Sequence, residues 1–76
     1  MESLASAATR CLKEYFQNLG DQIPASGLYQ HILETVEKPL IVETLILAEN
    51  NQKKAAEILG INRNTLRKKM QSLGIV

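Results

Sequence analysis

Seventy-six residues make at most one domain, and a chain this short buries only about 60% of the surface its unfolded form exposes. Apolar residues at 45% and charged residues at 22% are globular proportions, which excludes a disordered polyelectrolyte. The net charge of +1 excludes a uniformly basic chain, and the lone Cys11 excludes an internal disulfide.

The near-neutral total conceals a segregation. Residues 1–50 carry Arg10, Lys13 and Lys38 against seven acidic residues, a net −4. Residues 51–76 carry Lys53, Lys54, Arg63, Arg67, Lys68 and Lys69 against Glu57 alone, a net +5. Such asymmetry points the second half at a polyanion. No apolar signal core follows the acidic start at Met1-Glu2. The longest apolar stretch, residues 40–48, is interrupted by Glu43 and Thr44 and falls far short of the roughly 20 residues a membrane span requires. The expectation is a soluble, cytoplasmic protein without a membrane partner.

Helical periodicity begins at once. Leu4, Ala8, Cys11, Tyr15 and Leu19 recur at steps of three and four, with Leu12 and Phe16 widening the stripe, which predicts a helix over residues 3–19 stopped by Gly20. Among Ala8, Leu12 and Tyr15, Cys11 is expected to be a small buried side chain and not a nucleophile or ligand. Residues 21–27, with Pro24, Ser26 and Gly27, predict a loop.

A second helix is predicted over residues 28–49, about 33 Å at 1.5 Å per residue. Pro39 falls inside it and cannot donate to the Thr35 carbonyl, so the helix either kinks there or breaks in two. The run LIVETLILA that follows is apolar around more of its circumference than one small core covers. Either a second copy of the chain covers the remainder, or helices flank it on both sides in a tight monomer.

Asn50-Asn51 then punctuates, one residue closing the second helix and the other opening a third over residues 52–59. A fourth covers residues 63–73, closed by Gly74. The chain is predicted all-α, with a carboxy-terminal helix-turn-helix. Ala55 and Ala56 permit close approach, Gly60 makes the turn, Ile61 fills the corner and Asn62 caps the fourth helix through the N–H of Asn64 or Thr65. Leu66, Met70 and Leu73 hold that helix inward. At 100° per residue, Asn64, Arg67, Lys68 and Gln71 then face outward, flanked by Thr65 and Ser72 on one side and Arg63 on the other. Arg, Asn and Gln side chains are suited to bidentate hydrogen bonds with base edges. The first residues of a recognition helix reach bases most readily, which singles out Arg63. The unpaired N–H groups near Asn51 and Asn62 suit phosphates.

Other classes fit less well. His31 is the one histidine and has no identifiable partner, and no metal-ligand spacing occurs, so neither an enzyme nor a cofactor is expected. A helical protein-interaction module without DNA readout would explain residues 40–48 but not the +5 half. The aromatics Tyr15, Phe16 and Tyr29 lie on helical core stripes, which leaves no stacking platform for single-stranded nucleic acid.

The stretches LYQHILETVEKPLI and NQKKAAEILGINRNTLRKKMQSLGI resemble the Fis family and the carboxy-terminal DNA-binding domain of NtrC-type nitrogen regulators. The V-E-x-P-L motif at residues 36–40, Asn51-Gln52 and the G-I-N-R-x-T-L-R-K-K block stand in the family's order. The resemblance implies a single domain: residues 3–49 form a dimerisation part kinked near Pro39, and residues 51–74 a helix-turn-helix. It also implies an intertwined homodimer that binds and bends double-stranded DNA in transcription regulation. On matching positions the DNA contacts would be Asn51, Lys53, Asn62, Arg63, Thr65, Arg67 and Lys68, with Arg63 reading guanine and the others mostly gripping backbone; the helical-face reading adds Asn64. RNA polymerase, or other domains of a larger regulator, are the further partners it suggests. Two departures stand out. No residues precede the first helix to build the β-hairpin arm of Fis, and the phosphoacceptor and ATPase domains of NtrC have no counterpart here. Asn64, residues 27–29 and the Pro24 loop read closer to NtrC. The expectation is a fragment of such a regulator or a short free-standing relative.

Overall fold

The computed structural model describes residues 1–22 and 26–75, in which the chain forms four α-helices and no strand. The described part spans 42 × 32 × 18 Å. The predicted loop lies partly outside the described residues, Pro24 with it.

Helix α1 runs Leu4–Leu19. Ser3 caps it, its hydroxyl oxygen accepting from the Ser6 N–H at 3.0 Å, and Gly20 ends it with φ +57° and an N–H donated to the Phe16 carbonyl. The apolar stripe that defines α1 finds little cover: none of its residues is buried, and Leu12, Tyr15 and Leu19 are only half-buried. Cys11 is exposed, contrary to the buried position expected from its apolar neighbours. Periodicity identifies the correct face, but α2 alone leans on it, and a single neighbouring helix cannot enclose a side chain.

Helix α2 runs Leu28–Leu47 and passes through Pro39 uninterrupted, which excludes a break into two helices. It ends two residues before the predicted limit. Glu49 and Asn50 take φ +56° and +63°, a left-handed pair that turns the chain while Asn50 N–H donates to the Leu45 carbonyl at 2.8 Å. Asn tolerates this conformation because its side chain can hydrogen-bond locally, whereas Glu49 bears a strain of about 1–2 kcal/mol. Helix α3, Gln52–Leu59, and helix α4, Arg63–Leu73, follow at the predicted bounds.

The core is built at the junction of α2, α3 and α4. Ile41, Leu45 and Ala48 of α2 meet Ala55 and Ala56 of α3 and Leu66 and Met70 of α4, with Leu59, Ile61, Leu73 and Ile75 packed around them. Leu66 is fully enclosed at 0% exposure. Thr44 is buried in the same face, and its hydroxyl donates to the Leu40 carbonyl at 2.7 Å, so burial leaves no hydroxyl unpaired.

At about 100° per residue, Ile41, Thr44, Leu45 and Ala48 form one face of α2, while Tyr29, Leu33, Val36, Leu40 and Leu47 form another, roughly 100° away. The first face is covered by α3 and α4. The second is open: Leu47 is 69% exposed and Tyr29 79%. Among the described residues, helices do not enclose residues 40–48 on both flanks, since Ile46 and Leu47 stay exposed. The aromatic expectation also changes at Tyr29, which is exposed and not in a core, because it stands at the edge of a groove that Leu12 and Phe16 of α1 flank but do not close.

Candidate nucleic-acid interface

The turn between α3 and α4 is set by Gly60 in the left-handed region at φ +74°. Its N–H and that of Ile61 both donate to the Ala56 carbonyl, at 2.8 and 3.0 Å, closing α3 tightly before the chain reverses. A Cβ at Gly60 would meet no atom within 4 Å, so glycine is required by the backbone angle and not by crowding. Asn62 then opens α4, its side-chain oxygen accepting from the Asn64 N–H at 2.8 Å. Asn51 opens α3 in the same way, accepting from the Lys54 N–H at 3.1 Å. Both capping interactions follow from Asn as a short side chain whose carbonyl reaches back to a free amide.

With Leu66 and Met70 buried beneath, α4 turns Arg63, Asn64, Thr65, Arg67 and Lys68 outward, and all five are exposed. Arg67 donates to the Asn64 side-chain oxygen at 3.3 Å, a bond along the outer face that holds the guanidinium alongside the helix. No acidic residue occupies the first turn of α3 or of α4, so the positive end of each helix dipole is left unneutralised by its own sequence. Asn51 and Lys53 are exposed at the start of α3, and Asn62 at the start of α4. The expected residues thus form two groups: Asn62 to Lys68 on one helix and its cap, Asn51 and Lys53 at the other helix's N-terminus. Chemically this is a cationic, donor-rich surface on a rigid support, suited to an extended anion with hydrogen-bonding edges.

One basic residue behaves differently. Lys69 turns back toward α2, where its Nζ donates to Glu37 Oε2 at 2.8 Å. By sequence alone Lys69 belongs with the basic cluster and Glu37 with the solvated acids. The available signal is positional: Glu37 precedes the buried Ile41 by one turn, and Lys69 follows Leu66 by three residues. His31 is exposed, and no three potential metal-ligating side chains cluster among the described residues. No helix of the described residues is long and apolar enough to cross a membrane.

A three-helix core with a tight α3–α4 turn and an outward cationic helix defines an all-α protein of the helix-turn-helix class. Residues 32–73 match the family described as bacterial regulatory protein, Fis family. The chain is 47% identical over 73 residues to the DNA-binding transcriptional regulator NtrC of Rhizobium meliloti, covering 96% of this chain and 15% of that protein. It is 42% identical over 71 residues to a putative Fis-like DNA-binding protein of Ralstonia nicotianae, covering 88% of this chain and 91% of that one. Against the DNA-binding protein Fis of Proteus mirabilis it is 39% identical over 72 residues, covering 95% and 72% respectively. The chain belongs to the Fis family of bacterial regulatory proteins, and it spans about 15% of the length of the NtrC relatives it matches.

Proposed function

We propose that the chain binds double-stranded DNA as a homodimer, with sequence preference and bending of the duplex, in the regulation of transcription. The observation that carries this reading is the outward cationic face of α4, locked in place by the buried Leu66 and Met70. Arg63 reads a base edge, with Asn64 and Arg67 beside it. Lys68, Thr65 and Asn62 grip phosphates, and Asn51 and Lys53 add phosphate contacts at the start of α3. The names of the relatives, which include a transcriptional regulator and DNA-binding proteins, agree with this reading.

The dimer follows from the open faces. Residues 3–49 act as the dimerisation part, in which the exposed stripe of α2 and the uncovered face of α1 meet their equivalents in a second copy. That pairing is also where Cys11 and Tyr29 become enclosed. Residues 51–74 act as the DNA-reading part. Two copies of α4 address successive turns of one duplex face, and bending, at a cost of about 1–6 kcal/mol, brings both into register. The setting is cytoplasmic, at the nucleoid, with RNA polymerase or the remaining domains of a larger regulator as further partners.

Binding-site selection on random duplexes, followed by salt titration of the selected site, tests the reading. A two-fold-symmetric site with a steep salt dependence is the expected result. Absence of duplex affinity, with capture of a protein partner instead, overturns it in favour of a helical interaction module.

A further inference from the structure

The ion pair between Lys69 and Glu37 is the one side-chain hydrogen bond among the described residues that joins distant parts of the sequence. Every other side-chain bond of the described residues spans eight residues or fewer, as in the exposed Arg10–Glu2 pair. Apolar contacts otherwise hold α4 on α2, and apolar contacts are non-directional. They set the roll of α4 by burying Leu66 and Met70 against Ile41 and Leu45, and a charged pair at one end of the contact adds a directional restraint on its tilt.

The Lys69–Glu37 pair lies one turn beyond that contact, towards the N-terminus of α2. It is partly shielded, with side-chain exposures of 39% and 35%. A recess of about 140 Å3 adjoins it, lined by Glu37, Leu40, Ile41, Leu59, Ile61 and Lys69. The recess leaves the seam between α2 and the α3–α4 turn incompletely filled beside the pair. Lys68 and Lys69 are adjacent in sequence yet project about 100° apart, one outward and one onto α2.

We infer that Glu37 and Lys69 are positioning residues that set the angle of α4 on α2, and thereby the half-site spacing the dimer accepts. The inference rests on the dimeric DNA-binding reading above. Helix α2 carries both the open apolar stripe and the seat of α4, so a change in the α2–α4 angle changes the separation between the two copies of α4. The pair occurs twice in a dimer, and its effects on separation add.

The test uses the full chain and duplexes carrying the selected half-sites, with their spacing changed by one or two base pairs. Wild type first establishes the preferred spacing. Glu37→Gln, which keeps shape and removes charge, and the reversals Glu37→Lys and Lys69→Glu should each lower discrimination between spacings by about threefold to tenfold, while circular dichroism reports unchanged helix content. The double reversal, with the net charge of wild type, should restore the preference. Lys69→Gln should leave the salt slope of binding unchanged, unlike Lys68→Ala. Wild-type spacing profiles in Glu37→Gln, failure of the double reversal to restore discrimination, or a slope lowered by Lys69→Gln each overturn the inference. Absence of duplex binding by wild type overturns the function reading beneath it as well, which separates the two failures.

Discussion

The two ends of α2 meet different surroundings. From Ile41 onward the helix is roofed by α3 and α4, and the residues facing them are buried to a few per cent exposure. Before Ile41 its apolar residues meet chiefly α1, in which no residue is buried, and only Glu37 and Leu40 reach the α3–α4 unit. One part is a finished three-helix core; the other is a pair of amphipathic helices whose apolar faces remain largely wet. The proposed function gives the two parts separate tasks, with the closed part as the reading surface and the open part as the means of association.

Two leucines two positions apart sharpen this comparison most. Leu45 is 6% exposed and Leu47 is 69% exposed on the same helix. Leu45→Glu places a carboxylate in the core and should cost about 3–5 kcal/mol, enough to unfold a domain this small, as urea denaturation will report. Leu47→Glu should leave α2, α3 and α4 folded and weaken self-association by on the order of 100-fold, about 2.8 kcal/mol, in sedimentation equilibrium. Equal unfolding by both variants would erase the distinction between a closed and an open face.

Smaller effects divide the reading surface itself. Arg63→Ala should reduce affinity for the selected duplex by about 1–3 kcal/mol and blur preference at one position of each half-site, measured by competition binding. Unchanged affinity would remove Arg63 from the interface. Lys68→Ala should weaken all duplexes alike and lower the slope of log affinity against log salt by about 1 for each phosphate that Lys68 neutralises. A slope identical to wild type would show that Lys68 meets no phosphate.

Much of this is legible in the sequence, for local reasons. Caps and stops are encoded within a turn of where they act, so Gly20, Asn51, Asn62 and Gly74 mark helix ends that the structure reproduces, while Ser3, read as the first helical residue, is the cap of α1. The end of α2 is less legible. Asn50 signals a turn, but nothing in the propensity of Glu49 announces its left-handed backbone, which follows the buried Ala48 directly. The cationic face of α4 is legible because Leu66 and Met70 fix its underside. Cys11 and Tyr29 are misplaced by the sequence pattern because periodicity reports which residues share a face and nothing about what covers it. The Lys69–Glu37 pair is invisible for a similar reason: the partners are 32 residues apart, and only the seating of α4 on α2 brings them together.

The central claim is that α4, clamped by its aliphatic underside, presents its outer side chains to a duplex. Titrating the selected duplex into the isotope-labelled chain and following backbone amide resonances tests it directly. The account predicts that shifts concentrate at residues 62–72 and at 51–54, with residues 4–19 of α1 unperturbed. Shifts confined to α1 and the first half of α2, with α4 unchanged, would contradict it.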